Sequence, residues 1–152
     1  MKNTFNQALM AERVESLKAG IIGGLSLLSA FVITELLNNF VLGQYFELPW
    51  NYQMLSVNWQ TLLSAGIAGA SGLLFGVTYR YIVRQDNNPQ LKAGGVMAFG
   101  LVRGLAQVDA KITCNNSVVP VIVLAGESIL WFGLGGVALD AAMQWGWVKS
   151  FK

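Results

Sequence analysis

Apolar residues in this chain gather into four long runs separated by short polar stretches, and none shows the strict alternation of a half-buried strand. The first runs from about Ala19 to Val41 and opens GIIGGLSLLSAFVITELL. The second, TLLSAGIAGASGLLFGVTYRYIV, spans about Thr61 to Val83. The third, about Ala93 to Ala110, is interrupted by Arg103. The fourth reaches from about Val118 to Trp145, with Pro120 in its first turn, where a missing N–H costs least. A helix needs roughly 20 apolar residues to cross a hydrocarbon core of about 30 Å. A helix that is apolar all round lies in a deep core or in lipid, and four of them leave almost no polar face for water. The pattern predicts an all-α polytopic membrane protein, a single domain over residues 1–152 with four transmembrane helices. Residues 1–18 precede the first span. Phe5, Leu9, Glu12 and Arg13 suit either a short interfacial helix or a polar tail.

Composition sharpens the choice of solvent. Charged residues make up 12% of the chain and hydrophobic ones 54%. A soluble domain carries about 25% charged residues, so lipid is the better match. The net charge of +2, with no basic tract, argues against nucleic acid as a partner. Cys114 is the single cysteine, which rules out an intrachain disulfide. Histidine is absent, which excludes histidine-held haem, histidine metal sites and imidazole bases, and removes a common protein ligand for chlorophyll magnesium. There is no Ser/His/Asp set, HExxH, CxxC or phosphate loop, and Ser128 is merely adjacent to Glu127 on a helix, where neighbours point apart. The expectation is a non-enzymatic protein without a metal. The first twenty residues also lack the apolar stretch and cleavage site of a secretory signal.

Lys and Arg positions set the threading. Lys2, Arg13 and Lys18 precede span one; Arg80, Arg84 and Lys92 surround the turn RQDNNPQ; Lys149 and Lys152 follow span four. The loop from Leu42 to Gln60 has no Lys or Arg, and the loop before span four has only Lys111. Both termini and the RQDNNPQ turn are therefore expected on the cytoplasmic or stromal side. The opposite loop carries Tyr45, Phe46, Trp50, Tyr52 and Trp59, which suit either anchoring at the headgroup level or a platform for a cofactor or partner. Trp145 and Trp147 mark the other interface.

Helices in lipid gain little from hydrophobic burial against one another, so small residues that permit close approach hold them together. Gly20 and Gly24 form one GxxxG step and Gly100 and Gly104 another. Ala68, Gly72 and Gly76 form a small stripe on span two beside Ala65 and Gly69, while Gly133, Gly135, Gly136 and Ala138 thin span four. These faces serve as intramolecular seams or as a self-association surface. Leu17-Lys18-Ala19-Gly20 reappears as Leu91-Lys92-Ala93-Gly94, an offset that also aligns Glu35 with Asp109. Ala65-Gly66 echoes Ala125-Gly126, and Gly76 then aligns with Gly136. A duplicated helical hairpin would produce both matches.

Arg103 and Glu127 lie well inside spans three and four, where translocon scales price a charge at about 2.5–3.5 kcal/mol. They should pair or line a polar cavity, with Glu35 of span one near enough to join them. Two readings follow: a structural lock between neighbouring helices, or a pathway for protons, ions or a polar solute. The unbroken, mostly aliphatic spans weigh against transport.

The stretch SGLLFGVTYRYIVRQDNNPQLKAGGVMAFGLVRGLAQVD, residues 71–109, resembles an uncharacterised membrane-protein family of cyanobacteria and plastids, with ESLKAG at 15–20 as support. The resemblance implies a thylakoid or cyanobacterial inner-membrane location and no particular activity. Glu35-Leu36-Leu37-Asn38 looks like the start of the ExxN(x)R pigment motif of light-harvesting-like proteins, but Phe40 stands where that motif has arginine. The four glycine-rich spans also look architecturally like mitochondrial inner-membrane translocase subunits of the Tim17 type. The leading expectation is an accessory or assembly protein of the photosynthetic membrane, held in a larger complex or self-associated. The alternative is a small oligomeric transporter or channel.

Overall fold

The computed structural model describes residues 2–37, 59–84, 88–112 and 119–151. It is all-α, with four helices and no strand among these residues. Helix α1 covers Lys2–Leu37, α2 Trp59–Val83, α3 Pro89–Ile112 and α4 Val119–Gln144. At 36 residues, α1 is about 54 Å long and absorbs residues 2–18 into one continuous rod with the first apolar run. Nothing in KNTFNQALMAERVESLKAG breaks a helix, since it lacks proline and its only glycine is the last residue. The stretch Leu9–Leu37 of α1 and the whole of α2 are each long and apolar enough to cross a membrane. The aromatic loop from Tyr45 to Tyr52, the Asn38–Phe40 stretch and Cys114 lie outside the described residues.

The helices pack up-down-up-down. Helix α1 packs most extensively on α2, α3 on α4, and α4 closes the ring against α1, while α2 meets α3 and α4 more sparsely. The α1–α2 seam is built from glycine. A Cβ added at Gly72 would lie 2.9 Å from the Gly24 Cα, and one added at Gly23 would strike the Gly72 carbonyl oxygen and the Gly76 backbone. One added at Gly76 would strike the Ala19 backbone. Only residues without side chains permit such an approach, which brings whole backbones into van der Waals contact. The α3–α4 seam repeats the scheme, with Gly100 against the Ile129 backbone and Gly104 against Ala125. Gly136 packs against Val96 and Tyr79, and Gly135 against Leu27 and Phe75. Gly133 and Gly126 face open space.

The two seams share one register. Under the offsets that carry Gly20 to Gly94 and Ala65 to Ala125, the pairs Gly100·Ile129 and Gly104·Ala125 correspond to Ser26·Gly69 and Ala30·Ala65. Those positions continue the antiparallel register of Gly23·Gly72. The two hairpins therefore agree in packing as well as in sequence.

The buried core is small: Leu27, Phe31, Ala68, Phe75, Tyr79, Phe132 and Leu139, with a few neighbours. Outside it, large apolar side chains stand exposed on every helix, among them Leu25, Leu74, Val102, Ile122, Leu130 and Val137. A helix bundle in water turns a polar face outward. This one does not.

Candidate functional site

Glu35, Arg103 and Glu127, far apart in sequence, line one cavity of about 580 Å³. Its floor comes from α1 and α4 through Phe31, Thr34, Ser128 and Trp131. Its rims come from α2 and α3, where Ile67, Leu74 and Val102 line it while remaining more than half exposed. That pairing of an enclosed floor with exposed rims makes it a lateral cleft between α2 and α3, the side of the ring where packing is sparse.

Each wall of the cleft is positioned by ordinary packing. Trp131 is held edge-on against Phe31, with ring centroids 5.8 Å apart, and its indole N–H donates to the Thr34 hydroxyl at 2.8 Å. This ties α4 to α1 and fixes the indole face. The Arg103 guanidinium lies over that face, 4.8 Å from the ring centroid, and its Nη1 donates to the Ser71 hydroxyl at 3.4 Å. A guanidinium is planar and weakly hydrated, so it stacks well on an indole. Its buried Nε–H finds no acceptor among the described residues. Arg103 thus reaches α2 and α4 from α3, while Glu35 and Glu127 supply carboxylates to the same cavity.

Beneath the cleft the bundle is closed. Phe75, Phe99 and Phe132 pack ring to ring at 5.1 to 5.7 Å, and Tyr79 continues the cluster at 5.2 Å from Phe75. Phe75 is fully buried. Beyond this plug lies the end of the bundle that carries the basic residues. Tyr79 donates to Asp140 Oδ1 at 3.2 Å, and Lys92 pairs with Asp140 Oδ2 at 2.8 Å.

A densely hydrogen-bonded ionic site among the described residues is one that sequence reasoning missed. Arg80 is 1% exposed. Its Nε donates to the Lys149 carbonyl at 2.7 Å, its Nη1 to Ser16 Oγ at 2.7 Å and to the Glu12 carbonyl at 3.2 Å, and its Nη2 to the Glu12 carboxylate. The Lys149 backbone N–H in turn donates to Glu15 at 2.9 Å. One guanidinium thereby joins α1, α2 and the tail after α4, and brings residues near both ends of the chain to the same end of the bundle. Position 80 reads as one more basic residue flanking a turn, and its acceptors lie in a segment that hydropathy places outside the spans. The signal that would have found it is Glu12, the only acid besides Glu15 in the first eighteen residues.

The cleft offers one guanidinium, two carboxylates and the hydroxyls of Thr34, Ser64, Ser71 and Ser128, the last on a residue 2% exposed. No cluster of three metal-ligating side chains occurs among the described residues. What this chemistry can do is hold a polar or charged group at the middle of an apolar bundle. In comparisons with protein-family models, curated proteins and solved structures, none matches this chain.

Proposed function

We propose that this chain is a non-enzymatic integral membrane protein with four spans, which acts as an accessory or assembly factor by receiving the polar part of a membrane partner in the lateral cleft. The apolar surface on all four helices supports the membrane setting, because Val102, Ile122 and Val137 stand exposed on α3 and α4 as Leu25 and Leu74 do on α1 and α2. Helix α4 carries only Glu127 and Asp140 as charges in 26 residues. The collection of Arg84, Lys92 and Lys149 at the end of the bundle that holds both chain ends supports cytoplasmic or stromal termini. The likeness of residues 71–109 to the cyanobacterial and plastid family is what supports a thylakoid or cyanobacterial inner membrane.

The observation that carries a binding role is that the cleft is a dead end. It opens sideways between α2 and α3 and stops at the Phe75–Phe99–Phe132 plug. A conducting path would have to continue to the basic end. The seams at Gly23, Gly72, Gly76, Gly100 and Gly104 are consumed inside the bundle, which favours the cleft over these seams as the surface for a partner. Transport is the second reading, favoured by the meeting of Glu35, Arg103 and Glu127 on one cavity; it requires the plug to part.

Photocrosslinkers placed at Ile67 and Val102 separate the two. The binding role expects crosslinks to a partner protein, comigration with a larger complex after gentle detergent extraction, and loss of both in an Arg103→Leu/Glu127→Leu double variant that still inserts. A small homo-oligomer that supports solute flux in vesicles, with flux abolished by the same variant, would replace binding with transport.

A further inference from the structure

At the opposite end of the bundle from the cleft lies a second cavity, of about 390 Å³, between the last turns of α2 and α4 and the first turn of α3. Arg84, Lys92, Gln144 and Ser150 line it with donors, and Met143 gives it an apolar wall. Among the described residues Asp140 is the acid that lines it, and that carboxylate is engaged by Lys92 at 2.8 Å and by Tyr79 at 3.2 Å. With Lys92 and Asp140 offsetting each other, Arg84 leaves the described lining with a net positive charge.

Arg84 is held for this position. Its backbone adopts the left-handed conformation, with φ of 45°, just past the end of α2, and its N–H caps the Arg80 carbonyl at 3.3 Å. Its guanidinium lies over the Phe151 ring at 5.7 Å. The guanidinium makes no hydrogen bond or ion pair among the described residues. The N-terminus of α3 beside it adds the positive end of a helix dipole. Exposed Trp145 and Trp147, with ring centroids 5.8 Å apart, follow directly on the α4 turn that lines the cavity. Tryptophans of this kind mark headgroup depth.

From this geometry we infer a binding site for the phosphodiester of an anionic membrane lipid, with Arg84 as its main cation and Lys92, Gln144 and Ser150 as further donors. Basic cavities between helix ends at the interface suit anionic headgroups. The site goes beyond the cleft and rests only on the membrane setting. That setting fails separately, if the chain stays dispersed in buffer without amphiphile.

The test uses the full chain in neutral micelles, titrated with phosphatidylglycerol or phosphatidylcholine and followed by native mass spectrometry. Retention of phosphatidylglycerol at about fivefold lower concentration is expected, from roughly 1 kcal/mol per surface cation. Arg84→Gln should erase that preference, as should Lys92→Gln, while Arg13→Gln, exposed on α1, should preserve it. Inorganic phosphate at equal concentration should not displace the lipid. Equal retention of both lipids overturns the site, as does unchanged preference in both Arg84→Gln and Lys92→Gln. Loss in Arg13→Gln as complete as in Arg84→Gln means diffuse attraction only, and displacement by phosphate means a site for the free anion.

Discussion

Arg80 sits at the end of an apolar helix, where an arginine ordinarily reaches outward to the headgroups, yet it turns inward and gives its donors to Glu12, Ser16 and Lys149. Breaking a buried, hydrogen-bonded charge leaves its acceptors unpaired, at a cost of about 3–5 kcal/mol. Arg80→Leu should therefore lower the unfolding temperature of the detergent-solubilised chain sharply, and Arg80→Lys should recover only part of the loss, because an ammonium cannot fork to several acceptors. A thermal melt of both variants checks this; equal behaviour of Arg80→Lys and wild type would show the fork to be unimportant. Residues 80 and 103 also show what a sequence reveals about ionic sites. Arg103 stands out because it interrupts an apolar run, and the structure sets it on the same cavity as Glu35 and Glu127. Its stacking on Trp131 is not legible, since Trp131 looks like any apolar residue of span four. Arg80 is hidden for the opposite reason: a basic residue at a span end has a sufficient topological explanation, and its partner lies 68 positions away.

At the scale of helices, GxxxG spacing on α1 names Gly20 and Gly24, and the closest backbone approach also involves their neighbour Gly23. Gly20 and Gly24 satisfy the GxxxG pattern, while Gly23, which that spacing passes over, meets the backbones of Gly72 and Gly76. Which glycine leads depends on the crossing geometry of two particular helices, and one helix's sequence does not contain it. The distinction is measurable. Gly72→Ala sets a methyl group 2.9 Å from the Gly24 Cα, where backbone must retreat, and should cost about 1–3 kcal/mol. Gly133→Ala points into open space and, by helix propensity, should be neutral or stabilising by up to about 1 kcal/mol. Unfolding both variants in mixed micelles gives the comparison, and a harmless Gly72→Ala would contradict the tight seam. The sequence echo between the hairpins carried further than its short matches promised, because both seams keep the same antiparallel register.

For the molecule as a whole, the four helices were legible from four apolar runs, since runs of that length without alternation form helices, not strands. The N-terminal extent of α1 was not, because polar residues 2–18 form a helix whose support comes from α2 and the tail through Arg80, a tertiary cause. The cleft was half legible: its charges could be listed, but its sideways opening depends on how loosely α2 meets α3. If four spans cross the bilayer, reporters fused at the two chain ends should be found on one face of the membrane, and a protease-accessible site introduced near Trp59 on the other. Reporters on opposite faces would rule that threading out.

The same arrangement governs how the bundle can move. Glycine-to-glycine contact welds α1 to α2, Gly100 and Gly104 weld α3 to α4, and Arg80 on Lys149 with Tyr79 on Asp140 pins one end shut. What remains is a clothes-peg: two stiff jaws pinned at the basic end and tied along α1 and α4 by Trp131 to Thr34, free to part only where α2 faces α3. Spin labels at positions 67 and 102 should accordingly report a broader distance distribution than labels at 82 and 95, where Ile82 closes on Gly95. Any guest that enters the cleft would have to spring the jaws against that hinge, so strengthening the fastening around Arg80 would tighten the grip from a distance.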